Sequence, residues 1–428
     1  MQPQIGAVGK LRQPLTGAGT LPSGARLLPL LSGFAFASYL LRMNISVAQQ
    51  YMAPELGLTD VQVGQIFSAF MLGYALFQVP AGMWGDRFGP RLVLAAAGVV
   101  GTITTLLTGL IPGGLVKGAA ASFIALLVLR FALGVGEAAT YPVAAKAVAL
   151  WLPPSRHAFS NGMVIAGSTL GSAFTAPLIA HLMQGQGWRA SFYWTALVPL
   201  VIVVLWWRSV PKHFSSRDPV AAAAEPWWRL FRNRDLAFLS VSYFLDSYVL
   251  FLFVFWLFKY LVEVRRFSVI SGGWATSLPF AVATLAVPAF GYLSDHLSRR
   301  FQGVSGRRVV AMGCLVASGT LLLLGAWAPT AWAALAAISL SVAFLLSTEG
   351  PYWANAIDLS GDNAGAAGGL MNMAGNLGGV VSTAIMPVLV HAFGWFGALA
   401  SGSLFALLGA GFWLFIPLRR RATNAPVR

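Results

Sequence analysis

The chain has 428 residues, of which 57% are hydrophobic and only 10% charged, with a formal net charge of +15. Soluble domains carry about 25% charged residues, so this composition, with a mean hydropathy of +0.72, excludes an ordinary soluble protein. The lone Cys314 excludes an intrachain disulfide framework and a cysteine metal site.

Residues 1–27 contain Gly and Pro, lack the apolar core of a signal peptide and read as a cytoplasmic tail. Twelve apolar stretches follow, near 28–51, 61–83, 91–112, 119–149, 158–183, 190–208, 236–262, 270–294, 308–328, 331–357, 363–390 and 394–417. Each can cross a bilayer of ~30 Å, which takes roughly 20 residues. Lipid offers no backbone partners, so each is expected to be helical. Residues 28–208 form one set of six and residues 236–417 a second. The polar stretch 209–235 is a cytoplasmic linker, in which Trp227, Trp228, Arg229, Arg232 and Arg234 suggest a short helix on the inner membrane surface. Residues 418–428 are a second cytoplasmic tail. With both ends inside, inner segments hold twenty of the 28 Lys and Arg residues, whereas outer ones hold four: Lys117, Arg189, Arg265 and Arg266. The positive-inside rule therefore accounts for the charge, and a nucleic-acid partner is not needed.

Ionisable residues inside spans are functional candidates by default. Arg42 lies centrally in the first span and Tyr74 and Gln78 in the second. In the fourth, Arg130 and Glu137 are seven residues apart, two helical turns, and so share a face. They read as an ion pair whose charge changes as solute and solvent enter and leave, with Glu137 the natural proton carrier. Asp246 in the seventh span is open between pairing with Arg42, holding a cationic group, and lying at the inner interface. In the tenth, Glu349 precedes Gly350 and Pro351, where local unwinding is expected, and Tyr352 is a further cavity candidate. Asn372 and Asn376 fall one turn apart in the Gly-rich eleventh span. No His, Asp or Glu cluster has metal-ligand spacing, and no cofactor or catalytic fingerprint occurs.

The two halves echo each other. Gly82-Met-Trp-Gly-Asp86-Arg87-Phe-Gly-Pro-Arg91 matches Gly291-Tyr-Leu-Ser-Asp295 at an offset of 209 residues. Gly167, Gly171, Pro177, His181 and Gly187-Trp188 match Gly375, Gly379, Pro387, His391 and Gly394-Trp395 at an offset near 208. Such repeats imply two pseudo-symmetric six-helix bundles with a solute site between them near the midplane. The 82–91 motif resembles the cytoplasmic loop signature of the major facilitator superfamily. Arg-x-x-x-Gly-x-Gly-Glu-x-x-x-x-Pro at 130–142, with Trp151 to Arg156 and Gly187-Trp188-Arg189 downstream, resembles its anion:cation symporter branch. That branch includes bacterial sugar-acid and organic-acid transporters, sialin and the vesicular glutamate transporters.

The resemblance implies an all-α membrane protein of twelve transmembrane helices, transporting rather than catalytic. Arg42 is then implied to face a substrate anion, and Asn372 and Asn376 to line the cavity. Many bacterial relatives have an acid directly before this Arg for proton coupling; here the place is taken by Leu41. The expectation is a secondary transporter of a small organic anion, working by alternating access as a monomer in a bacterial inner membrane. Arg42, Arg130, Tyr74, Tyr352, Asn372 and Asn376 would meet the solute, and Glu137, Asp246 and Glu349 would serve proton coupling. Asp86, Arg87, Arg91 and Asp295 would gate it. No ATPase phosphate loop is present, so a gradient drives transport, with protons preferred because the family leans that way. The rival expectations are a zwitterionic, cationic or metal-chelate solute, a uniporter, and a membrane sensor.

Overall fold

Apolar stretches interrupted by glycine build the fold. The computed structural model describes residues 24–111, 116, 118–152, 157–210, 232–300, 304–360 and 364–416. Among these are eleven α-helices, a closing 3-10 turn at Trp413–Phe415, and no strand. The helices are α1 (Gly24–Leu56), α2 (Asp60–Gly109), α3 (Ala119–Glu137), α4 (Thr140–Trp151), α5 (His157–Ser209), α6 (Arg234–Glu263), α7 (Val269–Arg300), α8 (Val304–Trp327), α9 (Ala331–Leu346), α10 (Glu349–Ser360) and α11 (Ala364–Phe412). The expected inner-surface helix around Trp227 and the bulk of both tails lie outside the described residues.

Side-chain caps set several starts. Thr59 and Gln62 form a reciprocal capping box on α2. The Asn233 side chain accepts from the amides of Asp235 and Leu236 at the head of α6. α2, α5 and α11 run 50, 53 and 49 residues, too long for a single crossing. Each contains one non-helical glycine: Gly89 (φ 80°), Gly187 (φ 80°) and Gly394 (φ 67°). A side chain is disfavoured at positive φ, so glycine lets the chain redirect there between two helical stretches. Ten stretches among the described residues are long and apolar enough to cross a membrane, two of them the long runs Ser160–Ser209 and Ala367–Phe415.

The sequence repeat is visible in the breaks. Residues 138–139 interrupt the fourth expected span between α3 and α4, and residues 347–348 interrupt the tenth between α9 and α10. The offset is again 209 residues (347 minus 138). Close backbone packing also recurs. A Cβ on Gly167 would lie 2.2 Å from the Ser32 carbonyl oxygen, and one on Gly378 would lie 2.2 Å from that of Phe244. Small residues therefore bring α5 onto α1 and α11 onto α6.

The halves meet chiefly at the end carrying the 57–59 and 264–268 connections. There Ser68 Oγ is 2.8 Å from Thr383 Oγ1 and donates to the Val380 carbonyl at 3.0 Å. Phe67 stacks on Phe255 with ring centroids 4.8 Å apart. Lys259 of α6 pairs with Asp60 of α2, and Ser277 of α7 donates to the Ala173 carbonyl of α5. At the opposite end, α4 and α10 pack mainly on their own halves.

Candidate functional site

Arg42 lies midway along α1 and is 3% exposed. Its guanidinium carbon is 4.7 Å from the Tyr39 ring centroid, 5.1 Å from Phe70 and 4.6 Å from Tyr74. Three aromatic faces offset part of the cost of burying the cation. They leave its hydrogen-bonding needs open, and Nε and Nη2 have no hydrogen-bond partner among the described residues. The nearest carboxylate oxygen is Glu137 Oε2, 3.8 Å from Nη2.

Glu137 is the last residue of α3, where exposed helix carbonyls make a carboxylate unfavourable. Ser38 Oγ donates to its Oε2 at 2.8 Å, and Oε1 has no partner among the described residues. A cavity of about 20 Å³, enough for one water, is lined by Ser38, Leu41, Glu137 and Thr140.

Arg130 departs from expectation. It forms no ion pair with Glu137 within 4.0 Å among the described residues. Its Nη1 donates to the Leu41 carbonyl at 3.0 Å and its Nη2 to Asn44 Oδ1 at 3.1 Å. Residues seven apart share a face but stand about 10 Å apart along the axis, so Glu137 meets Arg42 of the neighbouring helix instead. Arg130 is 1% exposed, and its two hydrogen bonds brace α1 beside Arg42.

The C-terminal half supplies acids. Glu349 opens α10, where the positive end of the helix favours an anion. Tyr243 Oη donates to both Glu349 oxygens at 3.1 Å, and Trp353 Nε1 donates to Oε2 at 3.0 Å. Asp246 does not pair with Arg42. It is 1% exposed and accepts from Thr348 Oγ1 at 2.9 Å, because α6 turns it toward the α9–α10 break in its own half. Tyr352 also turns inward. It is fully buried, with its hydroxyl 2.6 Å from Ser242 Oγ and its ring between Tyr243 and Trp413. It is part of the buried core of its half.

Asn372 Nδ2 donates to Gln78 Oε1 at 2.8 Å, joining α11 to α2, and Asn376 Nδ2 donates to the Asn372 carbonyl at 2.8 Å. Of the expected gating residues, the side chains of Asp86 and Asp295 lie outside the description. Arg87 is exposed beside Phe88. Arg91 donates to the Trp207 carbonyl at 2.8 Å and lies over the Trp207 ring, tying α2 to α5 within one half. Sequence reasoning missed Tyr39, Phe70, Tyr243 and Trp353. Two of them carried a signal: Tyr39 is three residues before Arg42 and Trp353 four after Glu349, the spacings of one helix face.

Comparisons place this geometry in a family. The family model described as Major Facilitator Superfamily matches residues 31–383. The chain is 32% identical to the "Probable sulfoacetate transporter SauU" of Cupriavidus necator, covering 88% of this chain and 89% of that protein. It is 30% identical to the "Hexuronate transporter" of Bacillus subtilis, covering 89% and 90%. These relatives accord with the anion:cation symporter-like branch. A solved bacterial homologue of the human lysosomal transporter Spinster, inward-facing and occupied, superposes with a TM-score of 0.75 at 18% identity, covering 93% of this chain and 97% of that one. With its long apolar helices this is an integral, multi-pass membrane protein, and its relatives are transporters, not enzymes. The chain belongs to the major facilitator superfamily.

Proposed function

We propose that this protein is a secondary transporter that carries a small organic anion by alternating access, coupled to protons through Glu137. One observation carries the reading: at mid-span a buried guanidinium, Arg42, has two nitrogens without a hydrogen-bond partner among the described residues, and one of them, Nη2, lies 3.8 Å from the half-satisfied carboxylate of Glu137. Buried groups with unused hydrogen bonds are costly unless something completes them. A solute carboxylate or sulfonate would complete Arg42 and displace Glu137, which would then take a proton from the adjoining water-sized cavity. Tyr74, Asn372 and Asn376 would contact the solute, while Arg130 would hold α1 in place.

The architecture behind this is twelve spans in two six-helix bundles, 28–208 and 236–417. Counting α2, α5 and α11 as two crossings each, and α3–α4 and α9–α10 as one broken crossing each, supports that number. The charge asymmetry supports cytoplasmic termini in a bacterial inner membrane. The Lys259–Asp60 end is then the outer one, and the conformation is closed outside. Asp86, Arg87, Arg91 and Asp295 would gate the inner end. The transporting unit is a single chain.

Proteoliposomes loaded with solute test the coupling. Glu137→Gln is expected to keep solute exchange between the two sides but to lose accumulation driven by a pH gradient. Undiminished accumulation in that variant would refute proton coupling at Glu137. Leu41, standing where many relatives have an acid, favours a second reading as a uniporter, which predicts that the wild type also ignores the pH gradient.

A further inference from the structure

We propose that Gln78 and Asn372 form the gate that closes the Arg42 site on the side away from the end sealed by Lys259 and Asp60. This rests on the reading of Arg42 as the solute site, and it sets the closure within the spans, deeper than Asp86, Arg87, Arg91 and Asp295.

α2 and α11 meet across the boundary between the halves as an antiparallel pair, and their contacts form a series. At the sealed end a Cβ on Gly64 would lie 2.5 Å from the Thr383 carbonyl oxygen and 2.9 Å from the Pro387 ring. Next, Ser68 bonds to Val380 and Thr383, and a Cβ on Gly379 would lie 2.7 Å from the Met71 methyl. These are close approaches that small residues permit. The series ends on the hydrogen bond from Asn372 Nδ2 to Gln78 Oε1, 2.8 Å long. Beyond it each helix turns to its own half. A Cβ on Gly82 or Gly85 would meet Pro142 or Val143, and one on Gly368 would meet Trp353.

The place of this bond gives it a function. Gln78 is one helical turn from Tyr74 and shares its face. The Tyr74 ring backs the Arg42 guanidinium at 4.6 Å. The bond therefore joins the halves ~6 Å along the helix axis from the Arg42 level, whereas Asn376 Nδ2 donates within α11. Its chemistry suits release. A neutral amide pair exchanges its bond for bonds to water as the cleft opens, so it favours the closed form only by roughly two- to twelvefold. A buried ion pair here would be far costlier to part. The sealed end is held by close-packed glycine and by the stacked rings of Phe67 and Phe255. Rocking about that end parts Gln78 from Asn372 and admits water to Arg42.

The test uses full-length protein in lipid nanodiscs, without solute, in a Cys314→Ala background. Spin labels go on Met83→Cys of α2 and Tyr292→Cys of α7, exposed positions toward the ends of these helices away from the seal. Dipolar distances between them read the opening. Labels on the 57–59 and 264–268 connections report whether the sealed end and the fold are intact. Gln78→Leu, which removes the acceptor, is expected to raise the long-distance population about fivefold. Asn372→Leu should do the same, and the double variant should add nothing, because both changes remove one bond. Gln78→Glu keeps an acceptor for Asn372 and should stay near the wild type. The gate is overturned if the Leu variants leave the long-distance population unchanged, if their effects add, if Gln78→Glu opens as far as Gln78→Leu, or if the wild type already populates mainly the long distance. Should the Leu variants lose the sealed-end distance, Gln78→Asn, one methylene too short to reach, decides in their place: opening supports the gate and a wild-type distance overturns it. Because no solute is present, loss of the gate leaves the anion reading standing. That reading is tested by Arg42→Ala alone, and if the variant binds anions as the wild type does, the site and its gate fall together.

Discussion

In the N-terminal half the broken helix ends on Glu137, at the carbonyl end of α3, where a carboxylate needs outside help; Ser38 donates to it and Arg42 lies nearby. In the C-terminal half the matching break starts α10 with Glu349, at the amide end, where an anion is favoured without a cation. A shift of a few residues around a break 209 residues away reverses the local dipole. At its break one half therefore carries acid with base, Glu137 near Arg42, whereas Glu349 and Asp246 at the other have no cation within 4.0 Å among the described residues. The repeated breaks therefore coexist with opposite local electrostatics.

This contrast can be broken by removing the cations. Arg42→Ala should have the largest effect, a loss of anion affinity of about 100-fold or more, in keeping with truncation of one member of a buried charge pair; equilibrium binding to purified protein measures it. Arg130→Ala should act on folding, costing about 1–3 kcal/mol because it leaves the Leu41 carbonyl and Asn44 Oδ1 without their buried donor. Thermal unfolding without solute reads this, and a variant as stable as wild type would remove Arg130 from its bracing role. Asp246→Asn sharpens the comparison. An acid without a cationic partner should be replaceable with a change of about 1 kcal/mol or less in stability, because Asn keeps an acceptor for Thr348. A loss near that of Arg130→Ala would mean that the C-terminal half holds a compensating charge after all.

The smallest effect is expected at the sealed end. Lys259 pairs with Asp60 and lies 3.7 Å from Glu263, but the Asp60 side chain is half exposed. Exposed pairs contribute up to about 1 kcal/mol, so Lys259→Ala should only raise the outward-open population by a few-fold. Spin labels on the 57–59 and 264–268 connections would report it as a longer distance.

Much of this fold was legible. Hydropathy located the apolar stretches, and the repeat pairs Gly187 with Gly394, the two corners within α5 and α11, whereas the breaks at 138–139 and 347–348 fall inside stretches expected to be continuous. The site was legible as a set of residues more than as a set of contacts. Periodicity gives the face on which a side chain emerges but not the distance to a neighbour. Hence Arg130 and Glu137 were paired along one helix, when each reaches a different group on α1. Tyr352 shows the same limit: its position on α10 does not reveal that Ser242 and Trp413 lie against it. The interruptions at 138–139 and 347–348 contain neither Gly nor Pro, so tertiary packing and not local propensity decides them.

The central claim is that an arriving anion takes Arg42 away from Glu137 and that Glu137 gains a proton as a result. Proton exchange during solute binding, followed in weakly buffered purified protein with a pH indicator, addresses this directly. Net proton uptake in the wild type that vanishes in Glu137→Gln while anion binding persists is the predicted result. Binding without any proton uptake in the wild type, or with equal uptake in both proteins, would contradict it.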